Sequence, residues 1–508
     1  MAHLIFLPIA DHIQSGTYLV YDGACGTGGM LTVAEETLIK LATEHGKEVS
    51  VHLYGQEVNP ETFAISKADL ILKGEGNEAD NMKFGSTLSV DAFPSREFDF
   101  MLSNPPYGKS WKTDLERMGG KKDLRDSRFI VDHAGDPEFS LITRSSDGQM
   151  MFLANMLSKM KKASPLGSRI AEVHNGSALF TGDAGSGESN IRRWIIENDW
   201  LEAIIALPLN IFYNTGIATY IWVLSNRKAD SRKGKVQLID ATSWFKPLRK
   251  NLGKKNCELA PDDIKRICDA FLQLKEDETS KIFPNEAFGY WKVTVERPLR
   301  LKVEMTDGRL RAFRKACAEA GEHNLVRAIE AVTEARGPGP HLDFNAFVAE
   351  VEDAANKLGL RMTAKRQKRL MSALGQKDAA AEPVIRKTSK SRAGSDAMRE
   401  ALYGRYHTTI GGKASVVEYE PDTELRDTEQ VPFLEDGGIE AFFQREVLPH
   451  APDAWIDASK TVIGYEISFT RHFYKPQPLR TLDEIEADIR ALEKETEGLL
   501  EDVLVGGH

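Results

Sequence analysis

The sequence predicts an α/β protein built on a doubly wound, parallel sheet with helices on both faces and a mainly helical C-terminal region. Three observations carry that expectation. Short apolar runs alternate with helix-period segments from Thr17 onward. The first run ends in a glycine-rich turn, Asp22–Gly29, and a later one, Phe98–Ser103, stops on Asn104-Pro105-Pro106-Tyr107. In open α/β sheets the ligand sits outside the carboxyl ends of the strands, so both punctuation marks belong to one edge.

The first strand is Thr17–Tyr21, running into Asp22-Gly23-Ala24-Cys25-Gly26-Thr27-Gly28-Gly29. A helix follows, with Leu31, Ala34, Leu38 and Leu41 at helical spacing. Strand, glycine turn and helix N-terminus bring backbone close to a nucleotide-like ligand and lend it partial positive charge. The turn lacks the spacing of a dinucleotide site, which counts against NAD. Val49–Glu57 is the second strand, and an acid at its end, Glu57, is placed to bind a ribose hydroxyl pair. A helix over 62–72 and a polar link through Asn77 and Asn81 come next. Ser89–Phe93 reads as the end of a third strand, with Asp91 able to accept from an adenine amino group.

Phe98–Ser103 is then the fourth strand. Neither proline after it can donate a hydrogen bond, both hold φ near −65°, and the residue before each is pushed to an extended conformation. The stiff turn groups Asn104, the Pro105 carbonyl and the Tyr107 ring around one point. Carbonyl oxygens there can accept from a planar amine while the ring stacks on its flat face. Further strands are expected at 170–173, 201–207, 220–224 and 235–240, with helices over 151–161 and 191–198 and Asn190 as the cap of the latter. Gly182–Gly187 reads as a connector. Two basic runs, Arg227–Lys235 and Lys246–Lys255, suit solvated surface first and phosphate contact second.

The 508 residues imply more than one domain, and 41% hydrophobic with 28% charged residues describes a soluble, globular chain. No apolar run reaches the length of a membrane span. The four scattered cysteines form no framework, which fits a reducing cytoplasm. A formal charge of −10 argues against a protein that wraps nucleic acid unaided, though not against a local basic surface. No metal-ligand spacing is present.

Asp22–Met30 followed by Asn104–Tyr107 resembles the S-adenosylmethionine-dependent DNA adenine N6-methyltransferases, and the motif order resembles their gamma class. Ser168–His174, Ser189–Trp194, Leu201–Pro208 and Phe212–Leu224 extend the likeness to the modification (M) subunits of type I restriction-modification systems, over roughly residues 10–300 and again in the tail. The resemblance implies a Rossmann-like methyltransferase sheet and S-adenosyl-L-methionine as cofactor, held by Asp22–Gly29, Glu57 and Asp91. It implies Asn104, Pro105, Pro106 and Tyr107 as the catalytic platform acting on a flipped adenine, since a base inside a duplex is out of reach. Implied partners are DNA, a specificity (S) subunit, a second M subunit and a restriction (R) subunit. The family's usual N-terminal helical domain and Phe-x-Thr-Pro segment do not occur before Asp22, so the expectation is either a chain truncated at its N-terminus or a neighbouring polypeptide that supplies the missing part. Two rival readings follow: an incomplete, non-catalytic assembly subunit, and an Asn-Pro-Pro-Tyr methyltransferase acting on RNA or a protein glutamine.

The catalytic region is expected to span residues 1–300. Residues 301–400 form a helical and charged region with Leu325, Ile329, Val332, Phe347, Val351 and Ala354 at helical spacing, and Lys377–Pro383 reads as a linker. Residues 401–508 end in a helix that Thr481 and Glu484 can cap as a box. Its stripe of Leu482, Ile485, Ile489, Leu492, Leu499 and Val503 suits packing or subunit assembly.

Overall fold

The computed structural model describes residues 1–73, 76–391, 394, 396–474, 481–482 and 484–492. Its centre is a nine-stranded sheet. The first four strands are β1 (Gly16–Asp22), β2 (Val49–Glu57), β3 (Met82–Phe84) and β4 (Phe100–Ser103). A surface hairpin of β5 (Ile130–His133) and β6 (Asp136–Ser140) precedes β7 (Arg169–Asn175), β8 (Leu201–Ala206), β9 (Thr219–Ser225) and β10 (Lys235–Asp240). A second hairpin, β11 (Lys246–Leu252) and β12 (Lys255–Glu258), comes before the last sheet strand, β13 (Ser280–Pro284). The order across the sheet is β13-β10-β8-β9-β7-β4-β1-β2-β3.

The sheet is mixed rather than all parallel. β9 lies antiparallel between β7 and β8, and β13 is antiparallel to β10. Residues 207–218, which join β8 to β9, contain no helix. Without a helical crossover the chain turns back and pairs antiparallel. The third strand is also corrected: it is Met82–Phe84, and residues 85–93 form the loop that follows it.

Alternation along the strands feeds two cores. Tyr21, Met101, Ile170, Ile204 and Trp222 face the Gln149–Ser158 and Gly187–Glu197 helices, while Val20, Phe100, Ala171, Ala203 and Val223 face the Gly29–Glu44 and Pro261–Gln273 helices. Leu31, Ala34, Leu38 and Leu41 are all buried on this second side. The Ala2–Phe6 helix packs there too, with Phe6 edge-on to Phe100 at 4.9 Å. Pro60–Leu72 begins on a proline and is capped by Asn59, whose side chain accepts from the Glu61 and Thr62 amides. Asn190 is not a cap. The helix starts at Gly187 after Ser186, and Asn190 instead donates to the Ser140 carbonyl at 2.8 Å.

Four helices, Asp307–Glu319, His323–Arg336, Phe344–Lys357 and Ala364–Leu374, share a core that includes Leu325, Ile329, Val332, Phe347 and Val351. Strands lie on both sides of them in the chain. β14 (Gly289–Glu296) precedes the helices, and β15 (Leu301–Val303) pairs with β16 (Gly375–Lys377). β17 (Ile385–Lys390), β18 (Tyr406–Ile410) and β19 (Lys413–Tyr419) form one small sheet. β20 (Asp427–Pro432) and β21 (Trp455–Tyr465) flank β14 in another.

Residues 377–383 are not a free linker: Lys377 lies in β16 and pairs with Asp422 at 2.6 Å, and Ala381 is buried. Nor does the chain divide cleanly at residues 300 and 400. Tyr465, Ile467 and Phe469 return to the first core, and the Tyr465 carbonyl accepts from buried Arg192 at 2.6 Å. At the tail, Thr481 and Glu484 exchange the two expected capping bonds, and Leu482, Ile485 and Ile489 are exposed. Leu499 and Val503 lie outside the described residues.

Candidate functional site

β1 delivers Asp22 to the carboxyl edge, where burial is nearly complete. One carboxylate oxygen accepts from the Ala24 amide at 2.9 Å and from the Ser103 hydroxyl at 2.8 Å. The glycine turn is thus tied to the last residue of β4, immediately before Asn104. Burial raises the Asp22 pKa to about 7, against the pull of those two hydrogen bonds. Gly26 and Gly28 hold φ of +57° and +84°, the left-handed region that favours glycine, and Gly28 leads directly into the Gly29–Glu44 helix.

Glu57, at the end of β2, spans the turn. Its two oxygens accept from the Gly26 amide at 2.9 Å and the Asn59 amide at 2.7 Å, and the Cys25 amide donates to the Gln56 carbonyl. Gln56 is fully buried and its side chain holds the 85–92 loop through Val90 and Ala92. Each carboxylate oxygen of Glu57 keeps a second lone pair for a ligand hydroxyl.

Across from this shelf stands Asn104. Its side-chain Oδ1 is buried and has no hydrogen-bond partner among the described residues. A buried acceptor left unpaired costs roughly 1–3 kcal/mol, so native structures keep few of them. The loop that carries it is clamped. The Gly108 amide donates to Asp147 at 3.1 Å, the Trp111 amide to the Ser145 carbonyl, and the Trp111 indole to the Arg144 carbonyl at 2.9 Å.

A cavity of about 540 Å³ lies between the two halves. It brings together Gly23, Ala24, Gly26 and Glu57 from the turn side with Asn104 and Pro106 from the strand end. Other predicted residues lie elsewhere. Pro105 and Cys25 are buried behind the wall, Thr27, Gly28 and Gly29 form the helix entry, and Tyr107 is half-buried against the core on the second side of the sheet. Asp91 is a correction. It pairs with Lys159 at 2.6 Å and faces Arg128, so its carboxylate serves the fold beside the cavity rather than a ligand inside it.

The residues that stand where Asp91 was expected are Gly85, Ser86, Thr87 and Leu88, the loop after β3. Placing the third strand at Ser89–Phe93 hid them. The signal was available: Gly85 follows Phe84 directly at a strand's carboxyl end, as Gly23 follows Asp22. Trp111 and Phe152 add apolar wall on the far side. Behind the site, Glu172 pairs in register with Ser103 and lies 3.1 Å from His174, both fully buried. Burial pushes the Glu172 pKa well up and that of His174 down to about 3, so the His174 imidazole is neutral at pH 7.

The arrangement offers a glycine-lined shelf with an acid for a nucleoside and, facing it, an unpaired carbonyl acceptor on a rigid strand end. Among the described residues no group of three or more His, Cys, Asp or Glu could hold a metal ion, and no helix is long and apolar enough to cross a membrane.

Residues 3–290 match the N-6 DNA Methylase family model. The chain is similar to the type I restriction enzyme MjaIX methylase subunit of Methanocaldococcus jannaschii, 29% identical over 291 residues, which cover 57% of this chain and 47% of the relative. It is also similar to the MjaVII methylase subunit of the same organism, 30% identical over 257 residues, 50% of this chain and 40% of the relative. The chain spans about half the length of these curated relatives. Among solved structures, the type I restriction-modification methyltransferase subunit of Streptococcus thermophilus is 25% identical, with 56% of this chain and 54% of that one covered and a TM-score of 0.44.

Proposed function

The chain belongs to the N-6 DNA methylase family, and from that premise we propose that it transfers a methyl group from S-adenosylmethionine to N6 of adenine in DNA, as the modification subunit of a type I restriction-modification complex. The observation that carries this reading is the buried, unpaired Oδ1 of Asn104 across a cavity from the glycine shelf. An exocyclic amine is the group that satisfies such an acceptor.

The shelf fits the cofactor. Gly23, Ala24 and Gly26 line the cavity with no side chain larger than a methyl, so a ligand can approach the backbone closely, and Glu57 stands at the strand end for a ribose. Bound there, S-adenosylmethionine supplies a methyl group on a positively charged sulfur.

The chain's own residues do the rest. Adenine N6 is a weak nucleophile because its lone pair is delocalised into the ring. Asn104 Oδ1 and the Pro105 carbonyl accept its two amine hydrogens, which draws the nitrogen toward tetrahedral geometry and aims its lone pair. Tyr107 packs against the second core in this structure, so stacking on the base requires its ring to turn toward the cavity. The Gly108–Asp147 and Trp111–Arg144 bonds hold that platform still, so proximity and orientation supply most of the acceleration. No strong general base is required, because the positive charge that the sulfur loses leaves with the amine proton. A specificity subunit supplies the choice of sequence, and the exposed row of Leu482, Ile485 and Ile489 suits a helical partner surface.

The test is methyl transfer from tritiated cofactor by the full chain with its specificity subunit. Duplex DNA, RNA and a protein glutamine substrate are offered in parallel. Label recovered as N6-methyladenine in DNA is the expected result. Label in RNA or protein, or none anywhere while the cofactor binds, refutes the reading.

A further inference from the structure

The two basic runs look alike as sequence and differ in the fold. The first is consumed internally. Lys228 pairs with Asp199 and Lys233 with Asp230, each at 2.6 Å, and buried Arg232 bonds the Gln237 side chain and the Phe271 carbonyl. The second builds the β11–β12 hairpin. Lys246, Arg249, Lys250 and Lys254 are exposed and Lys255 is half-exposed, and none of the five forms an ion pair among the described residues. Glu258, opposite Lys246 in register, is the one acid between them in the hairpin.

An isolated two-stranded hairpin is marginal in water, and this one packs almost nothing, since nearly every residue of β11 is exposed. It is held instead by its return strand. The Lys254 amide donates to the Tyr213 carbonyl at 3.0 Å, the Asn256 amide to the Asn210 carbonyl at 3.1 Å, and the Cys257 thiol to the Leu209 carbonyl at 3.2 Å. At the tip, Gly253 has φ +62° and a Cβ there would meet the Tyr213 carbonyl at 2.8 Å, so only glycine lets the arm lie this close. Lys255 Nζ sits 5.3 Å from the centre of the Tyr213 ring. The 207–218 loop leaves β8 at its carboxyl end, the edge that carries Asn104. The arm therefore presents five unneutralised cations on the catalytic edge of a chain whose net charge is −10.

We propose that the β11–β12 arm contacts the phosphates of duplex DNA beside the target base. The proposal rests on the DNA reading above and names the surface that holds the substrate. Exposed lysines also protect strand edges from pairing with other chains, and sign separates the two roles. Glutamate protects an edge as well as lysine does, but repels phosphate.

The experiment measures binding of fluorescent duplexes of several sequences to the full chain across a salt series, for wild type and the triple variant Arg249→Glu, Lys250→Glu, Lys254→Glu. The log K against log salt slope should become shallower by about three and affinity at 0.1 M salt should fall on the order of tenfold, equally for every sequence. Cofactor affinity, measured by calorimetry, should stay unchanged and shows that the variant is folded. Replacing Arg249 by Lys should leave the slope intact. A variant with wild-type slope and affinity overturns the proposal and leaves edge protection. Loss of affinity for the specificity subunit with an unaltered slope overturns it in favour of a protein contact. A wild-type chain that binds no DNA with or without its specificity subunit removes the DNA reading itself, and the arm proposal with it.

Discussion

The two halves of the site handle their hydrogen-bond acceptors in opposite ways. On the β1–β2 side every functional acid is already engaged with its own chain: Asp22 with Ala24 and Ser103, Glu57 with Gly26 and Asn59. On the β4 side the one acceptor that matters, Asn104 Oδ1, is engaged with nothing among the described residues. The first half is organised before any ligand arrives, and its groups set backbone shape. The second is a rigid frame around an unfilled acceptor. Under the proposed function, holding a cofactor and gripping an amine fall to different halves of the site, and the Asp22–Ser103 bond joins the two.

The largest effect should come from the unfilled acceptor. Replacing Asn104 with Ala should lower methyl transfer by about a hundredfold to a thousandfold, as removal of a single pre-aimed polar group does in other sites. Tritium transfer at saturating cofactor and DNA checks it. Next comes the shelf. Glu57→Gln removes the charge that the Gly26 amide sees, and cofactor affinity should fall on the order of tenfold, the worth of a charge-assisted hydrogen bond. That loss should show in calorimetry and in the KM for cofactor, with kcat changed far less. If Glu57→Gln lowers kcat and leaves KM alone, the two halves are not separable.

A smaller effect belongs to the clamp. Asp147→Ala frees the Gly108 amide, so kcat should drop several-fold while cofactor affinity holds, because only the amine platform loosens.

The last effect is on stability rather than on transfer, and it depends on pH. Asp22 has its pKa raised from 3.8 to about 7. A group whose folded pKa is raised contributes stability that is fully present below the unfolded value and is lost as pH rises through the folded one. Wild type should therefore lose thermal stability relative to Asp22→Asn between about pH 4 and pH 7, and the gap should close below that window. Thermal melts of the two proteins across that range measure it. A difference that is flat with pH would mean that the buried carboxylate is not protonated in the fold.

Much of this was legible in the sequence because it is local. The bounds of β2 and β10 and the alternation behind the glycine turn follow from patterns within ten residues, and Pro105-Pro106 announces its own geometry. What escaped depends on distant partners. Asp91 looked free to bind a ligand, but Lys159, 68 positions later, claims it. Asn190 looked like a cap because it precedes an apolar helical run, whereas its amide is used against Ser140, on another element. The direction of β9 depends on a connection that contains no helix, and apolar strand runs read the same either way. Each basic run carries five lysines and arginines, and only the fold shows which one has its charges neutralised.

The central claim, that Asn104 grips the amine and takes no part in holding the cofactor, is tested most directly by calorimetric titration of S-adenosylmethionine into wild type and Asn104→Ala. The account predicts dissociation constants within a few-fold of each other, alongside the loss of transfer. Abolished cofactor binding in Asn104→Ala would contradict it, because the open acceptor would then belong to the shelf.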